Sequence, residues 1–437
     1  MKKNNIGDDS VVYELLVKEY DKYLNVDLLK VLKLVKDKIC FTKNDYVRSF
    51  LKNNKLVYMF YYMIIPLFLR RNFKKKDILL VSFAQNHLNV LIGLYENGVG
   101  KISVTLNGKC GYLYLCRKKN ECDAVLLDSY VGLIGFLKVV KFMMKIKKIR
   151  KKILRYLSLN VEEKKVLRNI EMYTLNWYRF TMIGENISSK FKKVIFGNDS
   201  CHRAIGLIKS CREKEIQTGV VQHGVIANVQ KYLPNSDVMY VWGEIEKEKL
   251  VEKGVSRNKI VVAGYPYNNY DISKSVRLGG DIFFPTTSII DRDIMRNIIN
   301  LLYEYSKRGK KVVIRPHPHD DILLYKKYKQ NSFFIINNKD ELLEQIEKSG
   351  IGIFFNSTVG LQMAMKGLRV IKLNISEYHD ESKYNDFQYI KKIYSIAELD
   401  HYLTKGMYVE KVSDDDRIHF ISSYIKGEIT RLIKCIV

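Results

Sequence analysis

Residues 312–321 read VVIRPHPHDD, a short apolar run that ends in a cation, two imidazoles and two carboxylates. The chain has only six prolines and eight histidines, and two of each fall within these four positions, 316–319. Pro316 and Pro318 hold the turn extended and delay helix formation. Arg315 or His317 can then be aimed at an anion just beyond a strand end. The same residues also fit a plain proline-rich connection, with His319, Asp320 and Asp321 capping the next helix. His317, His319 and Asp320 make a conceivable metal set, but a catalytic zinc requires three ligands of suitable geometry.

A second candidate is IGIFFNSTVGLQMAMKG, from Ile351. An apolar run meets Asn356, Ser357 and Thr358, and a helical pattern then opens with Gly360. Free backbone N–H groups and the helix dipole make such a start an anion site. Ser357 and Thr358 can add hydroxyl donors to a phosphate, and Gln362, one turn in, could reach a ribose or base. Ser and Thr are also the commonest helix caps, so a capped helix explains the same residues. Thr286, Thr287 and Ser288 end DIFFPTTS in the same way, as pocket hydroxyls or as a cap.

Earlier in the chain, GVVQHG places Gln222 and His223 at a strand end, with Gly224 allowing close backbone approach. A histidine there can act as a general base or bind phosphate. FGNDSCHR supplies Asn198, Asp199, His202 and Arg203, with Asp199 either a base or a helix cap. Glu244 follows YVWG as a further carboxylate. Gln85, Asn86 and His87 in FAQNHLN suit an acceptor.

These residues need elements to hold them. Short apolar runs alternate with helical periodicity from Asp77 onward, the pattern of parallel sheets built from βαβ units. Strands are expected at DILLVSF, ISVTLNG, DAVLLDS, KKVIFG, TGVVQHG, VMYVWG and KIVVAG, then at DIFFP, KKVVIR, IGIFF and RVIKLN. Residues 1–75 read as helical. The polar stretch Asn268–Gly280 separates two alternating series, so the expected fold is α/β with two doubly wound domains facing across a cleft. The first, acceptor-binding, covers 1–270; the second, donor-binding, covers 280–410; residues 411–437 form one helix packing back across them. In an open parallel sheet ligands bind beyond the carboxyl ends of the strands, which is where the residues above fall.

The formal charge of +27 argues for an anionic partner. Seven cysteines without a CxxC pair suggest neither zinc nor disulfides, and a polar start to the chain points to the cytosol. LVYMFYYMIIPLFL (56–69) is too short to span a bilayer and contains Pro66; with RRNFKKK after it, it reads as a core helix or a patch at the lipid interface. LKVVKFMMKIKKIRKKILRY (137–156) reads as a cationic amphipathic helix. Its apolar residues are Val140, Met143, Met144, Ile153 and Leu154, suited to a membrane surface or a polyanion. No recognised nucleic-acid module is present.

VVQHG, SDVMYVWGE, VVAGYPYNNYD, RPHP and NSTVGLQMAMKG, in this order across roughly Lys193–Asn374, resemble the GT-B glycosyltransferases of bacterial capsule and lipopolysaccharide synthesis. Kdo- and sialyltransferase-like groups and CDP-glycerol glycerophosphotransferases are the nearest in kind. The resemblance implies that His317 with Pro318, and Ser357 with Thr358, bind the phosphate of a CMP- or CDP-linked donor. It further implies that the first domain binds the acceptor and supplies the base; the expected transferase, acting on a glycan, needs no cofactor or metal. Many relatives carry Glu where this chain has Gln362, which affects ribose recognition. Nucleotide-sugar epimerases share the scaffold, and their SGG phosphate turn is similar to STVG here.

Overall fold

The computed structural model describes residues 77–437, except 105–124, 157–160, 188–189, 268–271, 273–274, 277–279, 288–289, 318–319, 338–339, 376–379 and 406–412. The helices expected over 1–75, the apolar 56–69 segment, Ser288, Pro318 and His319 therefore lie outside the described residues, as do the side chain of Gln85 and most of Asn268–Gly280.

Two parallel sheets organise the chain. The first series runs β1 (Ile78–Ser82), α1 (Gln85–Glu96), β2 (Lys101–Val104), β3 (Val125–Leu126), α2 (Gly132–Tyr156), α3 (Val161–Ile187) and β4 (Lys193–Phe196). It continues with α4 (His202–Glu213), β5 (Gln217–Val221), β6 (Val238–Val241), α5 (Glu244–Glu252) and β7 (Ile260–Val262). Its strands lie in the order β3-β2-β1-β4-β5-β6-β7.

The second series is β8 (Ile282–Pro285), α6 (Arg292–Lys307), β9 (Val312–Arg315), β10 (Phe334–Ile336), α7 (Leu342–Glu347) and β11 (Ile351–Phe354). After it come α8 (Thr358–Met365), β12 (Arg369–Leu373), β13 (Lys391–Ile393), α9 (Ile396–Thr404), α10 (Asp414–Tyr424) and α11 (Ile429–Ile436). The strand order is β10-β9-β8-β11-β12-β13. Counted from the first strand of each series, the second sheet reads 3-2-1-4-5-6, the doubly wound Rossmann order, and the first reads the same with a seventh strand added at its end.

The strands are almost wholly apolar because both faces of a parallel sheet are covered. In β8, Ile282 and Phe284 point into one buried cluster with Ile298, Leu302, Ile314 and Ile353. Phe283 points into the opposite one with Phe354, Leu361, Met363 and Phe420. Each such side chain contributes about 1.5–3 kcal/mol through burial.

By packing, the first unit extends to His223 and takes in Leu233–Tyr240 and Ile436–Val437; the second holds Gly224–Tyr232 and Val241–Cys435. The strand series change between Val262 and Ile282, around the polar stretch singled out in the sequence.

Several elements depart from expectation. The strand expected at DAVLLDS is only Val125–Leu126 before the chain coils into a short 3-10 turn. Helices α3, α5 and α9 and strands β10 and β13 were not anticipated. The single C-terminal helix is two, α10 and α11. They are broken because Lys426 N–H donates to the Trp242 carbonyl (2.9 Å) and the Gly427 carbonyl accepts from Tyr265 N–H (2.8 Å). Those bonds draw the backbone out of its helical ladder. α10 packs against α5 and α8.

Candidate functional site

Where strand order reverses, the connections leave in opposite directions and open a crevice at the carboxyl edge. Each sheet has one such point, between β1 and β4 in the first and between β8 and β11 in the second.

At the second crevice, strand pairing stops short of Pro285. The N–H groups of Ile282 and Thr286 donate to the Lys311 and Arg315 carbonyls of the β9 side (both 2.9 Å). Strand residues alternate in direction, so position 285 faces β11, and proline brings no donor there. Pairing between β8 and β11 accordingly covers only Ile282↔Ile351 and Phe283↔Gly352, whereas that with β9 runs on to Pro285↔Arg315.

Helix α8 begins at the mouth of this crevice. Ser357 is its N-cap: Oγ accepts from Val359 N–H at 3.2 Å, and its carbonyl accepts from the Tyr384 hydroxyl at 3.1 Å. Thr358 Oγ1 accepts from Val225 N–H at 2.9 Å. A hydroxyl that accepts still has its own proton to donate, so the cap and the phosphate site are compatible roles for one residue. Gly360 is required by packing, since a Cβ there would stand 2.3 Å from the Phe354 ring. Gln362 donates from Nε2 to the Tyr265 hydroxyl (3.4 Å); burial pushes that phenol up to about 12.

His317 is held by a partly buried knot that sequence reasoning missed. Asp320 Oδ2 accepts from the Thr286 hydroxyl, from Tyr325 OH at 2.6 Å and from His317 N–H at 3.0 Å. His317 N–H also reaches Thr286 Oγ1 at 2.9 Å. Thr286 is thus engaged within the framework, while Thr287 is half-buried beside it. Arg315, expected to face an anion, instead donates to the Asp340 carbonyl (2.7 Å) and Gln345 Oε1 (2.8 Å). Both partners are neutral, and burial lowers the guanidinium pKa. Its role is that of a strut between β9 and α7. The strand ends of β9 and β11 were expected side by side; β8 runs between them, which separates the two by about 10 Å.

The segment after His223 is clamped within the second unit. Glu246 Oε1 accepts from Ile226 N–H (3.3 Å) and Lys249 Nζ donates to the Ile226 carbonyl (2.7 Å). The two side chains form a fully buried ion pair at 2.7 Å. Glu381 accepts from Val229 N–H at 2.5 Å, and its own N–H donates to the Ala227 carbonyl. The i,i+3 spacing of Glu246 and Lys249 was visible in the sequence; that their helix face is buried was not.

In the first unit, the helix after β1 and the segment after β5 bring His87 and His223 together, with ring centroids 5.1 Å apart in an edge-to-face arrangement. Gly197 permits it, because a Cβ would stand 2.6 Å from the His87 carbonyl oxygen. Both imidazoles are partly exposed, and Gln222 is buried. Asn86, one residue before His87, is exposed. Asp199, a candidate base, is buried and accepts from Asn235 and Ser236 N–H groups, each at 2.7 Å. Burial raises its pKa, against the pull of those bonds. It is a loop clasp. The His202 ring lies tilted against Tyr173, centroids 4.5 Å apart, and Arg203 lies 5.0 Å over the Phe83 ring. Glu244, expected among first-domain groups, is exposed in the first turn of α5, inside the second unit, where a carboxylate favours the helix dipole.

The sequence matches no protein-family model and no curated protein. Solved structures do resemble it. UDP-GlcNAc 2-epimerase from Methanocaldococcus jannaschii superposes with a TM-score of 0.50 and 10% identity, over 82% of this chain and 98% of that one. The glycotransferase of kitacinnamycin gives 0.51 and 6%, over 82% and 96%. UDP-N-acetylglucosamine 2-epimerase from Rickettsia bellii gives 0.51 and 11%, over 83% and 95%. The likeness is one of scaffold: two Rossmann-like α/β units of the GT-B type.

Proposed function

We propose that this chain is a glycosyltransferase that moves a sugar from a nucleotide-activated donor to a glycan acceptor. The observation that carries the proposal is Ser357: a helix-capping hydroxyl at the switch point of the second sheet, beside a crevice that Pro285 keeps unpaired. There the α8 dipole, the Ser357 and Thr358 hydroxyls and the His317 imidazole receive the donor phosphate and offset the charge that grows on it as the sugar departs. Gln362, one turn along α8, reads the nucleoside. No metal is required, since these donors supply the neutralisation. His223 takes the proton of the attacking acceptor hydroxyl, with His87 against its ring and Gly224 leaving room for the sugar. His223 is preferred to Asp199 for that role because the Asp199 carboxylate already accepts two backbone N–H bonds.

The donor we infer is CMP- or CDP-linked, with UDP second, and the acceptor a lipid-linked or growing glycan of bacterial surface polysaccharide, met on the cytoplasmic face of the membrane. Transfer of a polyol phosphate would use the same phosphate site. Two of the solved structures that share the scaffold are UDP-GlcNAc 2-epimerases, which favours epimerisation of a nucleotide sugar as a second reading.

Incubating the full chain with CMP-, CDP- and UDP-linked sugars, with and without a glycan acceptor, separates the readings by mass spectrometry. Transfer needs the acceptor, and Ser357→Ala lowers kcat/KM about a hundredfold. An epimeric nucleotide sugar formed with no acceptor present overturns the transferase reading.

A further inference from the structure

Helix α2 rests on α3 through Val139, Phe142, Ile146, Ile149 and Ile153, all buried and spaced three, four, three and four apart. Phe142 stacks on Tyr178 at 4.0 Å, and Arg150 bonds Glu171 at 3.2 Å. This apolar stripe shares Ile153 with the one read from the sequence but differs from it elsewhere, since Met144 and Leu154 are exposed.

The opposite face is unusual. Leu133, Ile134, Leu137 and Met144 are 67%, 74%, 59% and 51% exposed. At about 100° per residue, Leu133, Leu137 and Met144 lie within about 40° of one another around the axis. Lys141, Lys145, Lys148 and Lys152 form a second exposed stripe along the flank of that ridge. Gly132–Tyr156 contains no acidic residue at all. Scattered exposed leucines are ordinary. An aliphatic ridge bordered by an unbroken row of lysines, on a helix about 37 Å long, is a different matter.

We infer that this face of α2 docks on a bilayer of anionic phospholipid. The lysines meet the headgroups, and the aliphatic ridge enters the boundary between headgroups and acyl chains. The pairing of features selects lipid over nucleic acid. A polyanion would satisfy the lysines and leave the four aliphatic side chains in water, whereas a bilayer accepts both. No described helix is long and apolar enough to cross a membrane, so the contact proposed is superficial. It does not depend on the transfer reaction.

The test is co-sedimentation of the full chain with vesicles of phosphatidylglycerol and phosphatidylcholine, against vesicles of phosphatidylcholine alone, with no nucleotide or sugar present. Mixed vesicles should bind at least tenfold more tightly. Leu133→Ser with Leu137→Ser should weaken that binding at least fivefold while leaving binding to soluble heparin unchanged. Lys141→Glu with Lys145→Glu and Lys148→Glu should weaken both. All five positions are exposed, and circular dichroism checks that the variants fold. Equal binding to the two vesicle types overturns the inference. So does wild-type vesicle binding by the serine variant, which would mark a polyanion site. A concentration-dependent dimer dissolved by the serine variant, with no vesicle binding, would assign the face to a second copy and overturn it too.

Discussion

Asp199 shows how a residue's type underdetermines its task. A carboxylate at a strand end suits a general base, yet this one is buried and bound to the N–H groups of Asn235 and Ser236. Asp199→Ala orphans both donors and should cost about 2–4 kcal/mol of stability. Asp199→Asn keeps an acceptor oxygen and removes a charge that burial penalises, so it should melt near wild type and retain transfer. Thermal melts and initial rates on the two variants decide the matter: a stable but inactive Asn variant would restore Asp199 as the base. Arg315 and Thr286 follow the same logic, since their polar atoms serve the framework and their pattern in the sequence did not distinguish framework from ligand. Ser357 caps α8 and, under the proposed function, serves the ligand too, because a hydroxyl can cap with its lone pair and donate with its proton.

Between elements, polar clasps keep neighbouring strands and loops in place. Asp237, at the start of β6, accepts from Thr218 of β5 through its hydroxyl (2.7 Å) and N–H (2.9 Å), and from Arg212 at 3.3 Å. Burial pushes this carboxyl up, but those bonds outweigh it and leave its pKa below the ordinary carboxylate value. The folded state therefore binds the proton less readily than the unfolded one. The stabilisation is present above the unfolded value of about 4 and is lost as pH falls through the lower folded value. Asp237→Asn should accordingly melt below wild type at pH 7, with the gap closing toward pH 3; a gap that persists in acid would contradict the sign. The Glu246–Lys249 pair is the harsher case. Removing one partner leaves a buried charge, so Lys249→Met should cost about 3–5 kcal/mol. Glu246→Gln combined with Lys249→Met should recover much of that, as denaturant melts can establish.

For the molecule as a whole, the residues of the proposed phosphate site lie in the second unit. A nucleotide at a hundredfold excess over its Kd should stabilise that unit by about 2.7 kcal/mol. Melting with CMP, CDP, UDP and GDP should raise the transition by a few degrees for the cognate base, and Ser357→Ala should abolish the shift. A shift that survives in Ser357→Ala would place the nucleotide elsewhere.

The α/β class was legible because a strand buried on both faces has to be apolar throughout, as Ile351–Phe354 and Ile282–Phe284 are. A chain that then turns back into a helix has to become small and polar, as at Asn356–Thr358. These are demands made over a few residues, so a linear reading meets them. The carboxyl-edge positions of His317, Thr286 and Ser357 follow from the same local rule. Strand order does not, and it alone inserted β8 between β9 and β11. Nor was it legible which side chains already have partners. Arg315 finds Gln345 thirty positions away, Asp199 finds Asn235 at thirty-six and Thr358 finds Val225 at one hundred and thirty-three. Periodicity and turn chemistry act between near neighbours, whereas hydrogen-bond partners at these separations exist only once the sheets have assembled. That is why the chain's own sequence settled the kind of fold, and tertiary structure alone showed which distant partners Arg315, Asp199 and Thr358 engage.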